Sequence, residues 1–434
     1  MKYLPFLAVG LFTTSVAFGQ QSNEAALSGL IRQSFDYYPK LKEQQQAISL
    51  GQTKTKIAEA ARLPTVGSDA SYQYVWPLQQ VQFSLPGVGD RSIQFMPRNN
   101  YNVGISASQT VYDFGKDAAQ IDKTKTETLL SVENLETAKH QLAYQVAQLY
   151  FGVVYLQKAI RVQRSQESLI NATAKVIEDR IKSGDEIDYN LVATRVRYKN
   201  VATRIVDLQN QLDRQFIALG SLVGKDVHPD VDTTASFDWK ALSLTEDPQT
   251  LAQSNNPDLR LARMREQVAE KDIEVAKASK MPSLSLNGAA GFKNGIQPEI
   301  EQFRFNGGVG VKISAPIYAG KRYQLQEELA RKNLQMNQYS TENAKLGVRT
   351  QISQALSELQ SVTEKLKLSD TQLQEARYAL KLADVRFQNG VITQLEIQSA
   401  QTAVEEAEFQ QIQFLYQQAL ARLELNRLAG TKIW

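Results

Sequence analysis

Four segments of the chain alternate between apolar and polar residues with a period of two, which is the period of a β-strand. Each segment is about ten residues long, the length that crosses a bilayer at the tilt of a barrel strand. One apolar and one polar face fit a wall between lipid and water, although an ordinary half-buried sheet alternates in the same way. The apolar positions are Val66, Ala70, Tyr72, Tyr74 and Trp76; Tyr101, Val103, Ile105, Ala107 and Val111; Leu284, Leu286, Ala290 and Phe292; and Val309, Val311, Ile313 and Ile317.

Several aromatic residues lie in or beside these segments. Membrane barrels carry girdles of aromatic side chains where the lipid meets water. The sequence therefore predicts an aromatic girdle made of Tyr72, Tyr74, Trp76, Tyr101, Tyr112, Phe292 and Tyr318.

Two long stretches without proline, residues 116–184 and 321–390, read as helices. In the second stretch an apolar residue recurs every seven positions, and the first repeats this period with an interruption at Glu167. A sustained seven-residue period predicts a coiled-coil seam. Each helix would be about 100 Å long at about 1.5 Å per residue. The heptad positions of the second stretch are Ile352, Leu359, Leu366, Leu373, Leu380 and Phe387.

The order of landmarks occurs twice, which predicts an internal tandem repeat. Pro39 and Pro64 lie 25 residues apart, as do Pro257 and Pro282. An Arg-x-x-x-Gly sequence ends both long helices. The first copy holds 12 extra residues before Tyr112, which predicts a longer surface loop.

This repeat divides the chain into four parts. The predicted parts are a signal peptide (1–19); a first repeat (20–224) with a helix, a strand pair (65–112) and a long helical hairpin (116–224); a belt linker at mid-height (225–256); and a second repeat (257–434) with a helix, a strand pair (283–318) and a long helical hairpin (321–430).

The signal peptide is predicted from a basic Lys2, an apolar run to Phe18 and small residues at Ala17 and Gly19. An uncleaved anchor is the alternative. Beyond this run no apolar stretch of about 18 residues occurs, so any entry into a membrane must use strands. The chain has no cysteine, and therefore no disulfide and no thiol for a lipid anchor.

No catalytic, cofactor or metal site is predicted, and the sequence does not point to an enzyme. His140 and His228 lie far apart in the chain. The glycine-rich stretch ending at Lys225 is followed by Asp226 and closes a helix, whereas a phosphate loop opens one. The net charge is only +3 with basic and acidic residues interleaved, which gives no case for nucleic acid.

Together these features resemble the TolC family of outer-membrane efflux and secretion channels. The resemblance covers essentially the whole mature chain and rests on the order of the landmarks. Its motifs are the turns Tyr112-Asp113-Phe114-Gly115-Lys116 and Ala315-Pro316-Ile317-Tyr318-Ala319-Gly320-Lys321, with the two Arg-x-x-x-Gly tips.

The resemblance implies a mixed fold, a membrane β-barrel joined to an α-helical coiled-coil barrel. It implies a homotrimer with four strands per subunit, a twelve-strand barrel in outer-membrane lipid and a long periplasmic helical tunnel. It implies the exit duct of a tripartite efflux or type I secretion system, which passively conducts substrates. The implied partners are a periplasmic adaptor and, through it, an inner-membrane transporter.

The two hairpin tips supply the candidate functional residues. The predicted adaptor-docking residues are Ser183, Gly184, Asn389 and Gly390, although helix packing alone would explain the glycines. Relatives often carry two acids after the second tip glycine; here Glu396 matches one and Ser399 replaces the other. The predicted pore constriction comprises Glu396, Asp185, Glu186, Asp188, Arg180 and Arg386. Solvated outer faces would explain these charges as well.

Two other classes of protein are alternatives to the channel. A trimeric coiled-coil surface adhesin or structural envelope protein would carry one anchor and a head that is not repeated. An autonomous porin would need many more strands, because the smallest membrane barrels have eight. Two internal copies, each with its own strand pair, favour the channel.

Overall fold

The computed structural model describes residues 17–434 except residues 86, 88, 225–236 and 238–245. Most of the predicted signal peptide and most of the predicted belt therefore lie outside the described residues. The helices and strands are α1 (Ala17–Tyr37), α2 (Pro39–Ala60), β1 (Thr65–Tyr74), β2 (Gln80–Leu85), β3 (Gly89–Gln94), β4 (Asn99–Tyr112), α3 (Lys116–Ser183), α4 (Asp188–Val223), α5 (Pro248–Asn255), α6 (Pro257–Ala278), β5 (Ser283–Lys293), β6 (Arg304–Ser314), α7 (Arg322–Gln388) and α8 (Gln394–Ala429).

The helices come in pairs of equal length along the chain. The long helices α3 and α7 have 68 and 67 residues, α4 and α8 have 36 each, and α2 and α6 have 22 each. Of the described helices, none is long and apolar enough to span a membrane.

Four strands form one antiparallel sheet in the order β1-β4-β5-β6. Paired residues of antiparallel neighbours share a face, and the register pairs Ala70 with Val103 and Ile105 with Ala290. Apart from Ser68, Asn99 and Gln109, one face carries only apolar side chains and glycines. Its apolar members are Val66, Ala70, Tyr72, Tyr74, Tyr101, Val103, Ile105, Ala107, Tyr112, Leu284, Leu286, Ala290, Phe292, Phe305, Val309, Val311 and Ile313.

The opposite face of the sheet is polar, and small side chains predominate on it. It includes Asp69, Asn102 and Lys312, and the Asn102 amide donates a hydrogen bond to the Asp69 carboxylate at 3.0 Å. The polar side chains on this face are Thr65, Asp69, Ser71, Gln73, Asn100, Asn102, Ser106, Ser108, Thr110, Ser283, Ser285, Asn287, Lys293, Arg304, Asn306, Lys312 and Ser314. The predicted alternation of the strands is confirmed.

A β-bulge interrupts β4 between Thr110 and Tyr112. Gln109 pairs with Leu286 and Tyr112 pairs with Leu284, so Val111 is the extra residue. The sequence prediction placed Val111 on the apolar face with Tyr101. The bulge interrupts that alternation, and Tyr112 takes the place opposite Leu284.

Two predicted strands end earlier than the alternation suggested. β1 ends at Tyr74, so Trp76 lies beyond it, and β6 ends at Ser314, so Ile317 and Tyr318 lie beyond it. Pro77 follows Trp76 and Pro316 precedes Ile317. Proline has no N–H to donate to a neighbouring strand. The 12 extra residues of the first copy contribute to a separate hairpin, in which β2 pairs with β3.

The chain divides into two compact units. The first consists of residues 1–44, 133–262 and 341–434. Its core includes Ala252, Leu259, Ile352, Leu425 and Leu428, contributed by four helices. His140 is also buried in this unit, and its ring packs edge-on against Trp434 with centroids 4.8 Å apart.

The second unit, residues 45–132 and 263–340, contains the sheet and the helical segments joined to it. A Cβ at Gly51 would lie 2.7 Å from the Thr128 hydroxyl oxygen, so glycine allows α2 to approach α3 closely. Ile121, Ala269 and Ile273 are buried among these helices. Lys123 joins α3 to α6 through an ion pair with Asp272 at 2.7 Å.

Candidate functional site

Both long helices end in the same glycine turn. Gly184 has a φ of 83° and Gly390 a φ of 73°, in the left-handed region that favours glycine. The Asp185 N–H donates to the Arg180 carbonyl at 2.9 Å, and the Val391 N–H donates to the Arg386 carbonyl at 2.8 Å. A Cβ at either glycine would meet no atom within 4 Å. The backbone angle, and not lack of space, therefore accounts for both tip glycines.

A small apolar cluster connects the two tips. Ile177 of α3, Phe387 of α7 and Ile397 of α8 are almost fully buried against one another. Phe387 is the last predicted heptad position, and its burial confirms that end of the seam. The cluster places the end of α7 against the end of α3.

Arg180 adds a second contact between the two tips, which no pattern in the sequence indicates. Its guanidinium donates a hydrogen bond to the Phe387 carbonyl and lies over the Phe387 ring, 4.5 Å from the centroid. The carbonyl belongs to the last turn of α7, where the helix dipole favours a positive charge. Among the described residues Arg180 forms no ion pair with the acids of either tip.

Glu396 closes the first turn of α8. Its carboxylate accepts hydrogen bonds from the N–H and the hydroxyl of Thr393, both at 2.8 Å, in a capping box. These bonds hold the pKa of the Glu396 carboxyl below its usual value, and the charge of Arg386 lowers it further. The carboxylate of Glu396, which the sequence predicts at the pore constriction, therefore forms hydrogen bonds that cap the start of α8.

The acids of the first tip also have local partners. Asp185 accepts from the Ser183 hydroxyl at 2.9 Å. Glu186 accepts from the Asn190 amide at 2.7 Å, and Asp188 lies in the first turn of α4. Their side chains stay exposed or half-exposed, so they can still contribute charge to the surface of the tip.

The four predicted docking residues are all exposed at the tips. Ser183 and Gly184 lie where α3 ends and the first hairpin turn begins, and Asn389 and Gly390 begin the second turn. The Asn389 amide donates to the Val385 carbonyl at 2.8 Å, which fixes its side chain along α7. Exposure is what a docking role requires.

A polar ladder between α3, α4 and α8 was missed in the sequence. Gln401 is buried, donates to the Thr173 hydroxyl at 2.9 Å and accepts from Arg197 at 2.7 Å. One turn further along, the buried Glu405 accepts from Gln163 at 2.8 Å and from Arg204 at 3.0 Å. The spacing of four residues places Gln401 and Glu405 on one face of α8, and that spacing was the available signal.

The apolar face of the sheet is open to its surroundings along its length. Val309 is 83% exposed, Val311 70% and Ile313 74%, and Ile105 on the neighbouring β4 is 58% exposed. An apolar sheet face of this size on a folded chain marks a surface that another apolar phase or protein covers.

The predicted girdle residues divide between the two ends of the strands. At one end the Tyr72 and Tyr101 rings lie 5.2 Å apart, and the Phe292 ring lies 5.5 Å from that of Phe305. At the other end, Tyr112 lies 4.7 Å from Phe114. Tyr318 follows β6 at that same end, and Trp76 follows β1 at the first end. Two rows, one at each end of the apolar face, are the arrangement of interfacial aromatic belts.

Comparison with known proteins gives consistent results. The model of the family described as outer membrane efflux protein matches residues 30–225 and 248–431. The pyoverdine export outer membrane protein OpmQ of Pseudomonas putida is 23% identical over 393 residues, covering 87% of this chain and 80% of the relative. The outer membrane protein TolC of Escherichia coli is 20% identical over 448 residues, covering 99% and 86%.

Solved structures share the fold. The structure of CusC, in work on transmembrane channel formation, superposes with a TM-score of 0.80 at 18% identity, and the match covers 97% of this chain and 96% of that one. The CusC protein of Escherichia coli is named a cation efflux system protein.

Proposed function

The chain belongs to the outer membrane efflux protein family, and from this premise we propose that it is the exit duct of a tripartite efflux or type I secretion system. The resemblance to TolC channels seen in the sequence is confirmed. The protein is an outer-membrane protein with a large periplasmic portion, and its relatives are channels. Nothing in these relatives favours the alternative of a surface adhesin.

The two-faced sheet with open edges is the observation that carries the proposal. β1 and β6 are the outer strands of the order β1-β4-β5-β6. β1 pairs with β4 and β6 pairs with β5, and no described strand pairs with the other edge of either. In lipid, an unpaired strand edge leaves backbone N–H and C=O groups without partners, at a cost of several kcal/mol each. Pairing β6 of one copy with β1 of the next removes those edges.

We assign three copies to the assembly on the strength of the family resemblance, which gives a barrel of twelve strands. The apolar face, with Val103 and Val309, then contacts outer-membrane lipid. The polar face, with Asp69 and Lys312, lines a water-filled bore. The long helices of the three copies form the periplasmic tunnel.

The tips complete the duct in this proposal. Ser183, Gly184, Asn389 and Gly390 meet the periplasmic adaptor, which links the duct to an inner-membrane transporter. The carboxylates of Asp185, Glu186, Asp188 and Glu396, repeated three times around one axis, form the constriction with Arg180 and Arg386. Arg180 acts there through Phe387, because it binds that residue and no tip acid.

The duct conducts passively and performs no reaction. Relatives are named for pyoverdine export and for cation efflux, so one fold serves unlike solutes. We therefore assign the choice of cargo to the transporter.

Two adjacent residues of β4 offer a direct test, since the chain has no native cysteine. Ile105 lies on the apolar face and Ser106 on the polar face. In reconstituted channels of the Ser106→Cys variant, a charged, water-soluble thiol reagent should react and change the single-channel conductance. In the Ile105→Cys variant only a lipophilic maleimide should react. Equal reaction of both variants with the charged reagent, or stable conducting monomers on cross-linking, would exclude the architecture.

A further inference from the structure

The ends of the sheet that join the helices carry a concentration of positive charge. Four connecting segments, residues 61–64, 113–117, 279–282 and 315–323, form this junction. They contain five basic and two acidic residues, a net charge of +3. The connections at the opposite end, residues 75–79, 95–98 and 293–304, contain three basic and two acidic residues, a net charge of +1. The basic excess is therefore greater on the helical side.

Much of the acidic charge of the junction is already engaged. Asp113 accepts hydrogen bonds from the N–H groups of Gly115 and Asp117 and so caps the start of α3. Lys280 is the basic residue with a local partner, Glu327, at 3.4 Å.

Four further basic residues of the junction remain exposed and form no ion pair with any described residue. They are Arg62, Lys116, Lys321 and Arg322, and the guanidinium of Arg322 lies 5.2 Å from the centroid of the Tyr323 ring. Lys116 and Lys321 occupy matching positions, each directly after a glycine and at the start of a long helix. The free positive charge therefore lies where both long helices leave the sheet.

The surroundings of these lysines are apolar and aromatic. Ile317 is 99% exposed and Tyr318 87% exposed, and Phe114, two residues before Lys116, packs on Tyr112. Aromatic rings beside basic side chains, at the limit of an apolar surface, are typical of the level of lipid headgroups. Cations at that level attract anionic headgroups within about a Debye length.

We propose that this junction binds the phosphate groups of anionic phospholipids, of the phosphatidylglycerol class, in the leaflet on the helical side of the barrel. The inference rests on the proposed membrane barrel. Lys116 and Lys321 are its principal contacts, and Arg62 and Arg322 contribute charge. In a trimer the six lysines surround the barrel at one level and hold its depth in the membrane.

The test compares lipid binding by the purified full-length protein in mild detergent. Dioleoylphosphatidylglycerol and dioleoylphosphatidylethanolamine are titrated separately, and bound lipid is counted by native mass spectrometry. The variant is Lys116→Gln with Lys321→Gln. The matched control is Lys365→Gln with Lys381→Gln, which removes the same charge from exposed positions of α7 outside the junction.

We expect the wild type and the control to prefer the anionic lipid by roughly 25-fold or more, on the order of fivefold for each of the two lysines near a headgroup. The junction variant should lose that factor of roughly 25 and keep only the preference that Arg62 and Arg322 contribute. Equal binding of both lipids by the wild type, or a full preference in the junction variant, would overturn the proposal. Competition by inorganic phosphate at equal concentration would reassign the junction to free phosphate. Conductance of the same samples tests the duct separately, since lipid preference and conduction can fail independently.

Discussion

The guanidinium of Arg180 covers the ring of Phe387 and also binds the carbonyl of the same residue, so one side chain holds the end of α7 at two points. The two residues are 207 positions apart in the chain. The contact joins the tip of one helical hairpin to the tip of the other, and a single substitution of Arg180 removes it.

Replacing Arg180 should loosen the tip. A cation over an aromatic ring contributes about 0.5–2 kcal/mol, and a charge-assisted hydrogen bond about 1.5–3 kcal/mol. Arg180→Ala should therefore raise the open-state conductance of single channels in planar bilayers. Arg180→Lys should raise the conductance less than Arg180→Ala does, because lysine keeps the positive charge but lacks the planar guanidinium group. Arg164→Ala, which removes an exposed arginine of α3 away from the tip, is the matched control, and an equal rise there would contradict the role of Arg180.

The capping box at Thr393 and Glu396 gives a pH-dependent prediction. The folded pKa of Glu396 lies below the ordinary value of 4.5. The ionised carboxylate therefore stabilises the start of α8 above that value and stops doing so as the pH falls through the lowered pKa. Glu396→Ala should lower the unfolding midpoint followed by circular dichroism at pH 7, and the difference from wild type should shrink as the pH is lowered below 4.5. Glu396→Gln should be milder, since glutamine also completes a capping box. A difference that does not shrink on acidification would contradict the assignment.

The docking role of the tips can be separated from their folding role. Ser183→Glu combined with Asn389→Glu changes the exposed surface and leaves both glycine turns in place. We expect cross-linking to the periplasmic adaptor and export to fall about tenfold or more, because like or unpaired charge at an interface costs a few kcal/mol. The control, Asn210→Glu with Ser353→Glu, adds the same charge at exposed helical positions. Full export by the tip variant, with trimers intact, would refute docking at these residues.

His140 should make the first unit less stable in mild acid. Burial lowers the pKa of His140 from 6.5 to about 4, outweighing the opposing effect of Glu136, while Lys432 and Arg260 lower it further. Between pH 6.5 and 4 the unfolded chain binds a proton here that the folded chain does not, so stability falls as the pH falls. In His140→Phe, which keeps a ring against Trp434, the loss between pH 7.5 and pH 5 should be smaller. An unchanged loss in thermal unfolding would place the titrating group elsewhere.

Periodicity in the sequence predicted most of the helices and strands because side-chain direction follows chain position in a regular element. It failed where the backbone is irregular. Trp76 and Ile317 matched the alternation, but the strands end before them, beside Pro77 and Pro316. Val111 matched it too, but a bulge leaves no trace in the pattern of apolar residues.

The candidate site was harder to predict for two different reasons. The Arg180–Phe387 contact depends on the approach of two distant tips, which no local pattern encodes. The capping role of Glu396 was visible as Thr393-Gln394-Leu395-Glu396, since threonine followed three residues later by glutamate is a helix-start signature. The family resemblance predicts a pore role for Glu396, whereas this signature predicts the capping role.

The bulge at Val111 has a consequence for how the length of β4 can change. Deleting Val111 would restore regular alternation and keep Tyr112 facing the same way as Gln109 and Ala107. Deleting Val103 would instead invert every side chain between that point and the loop, moving Tyr101 to the polar face and Asn102 to the apolar face. Val111 is thus a position where β4 can lose one residue without exchanging the apolar and polar faces of the sheet.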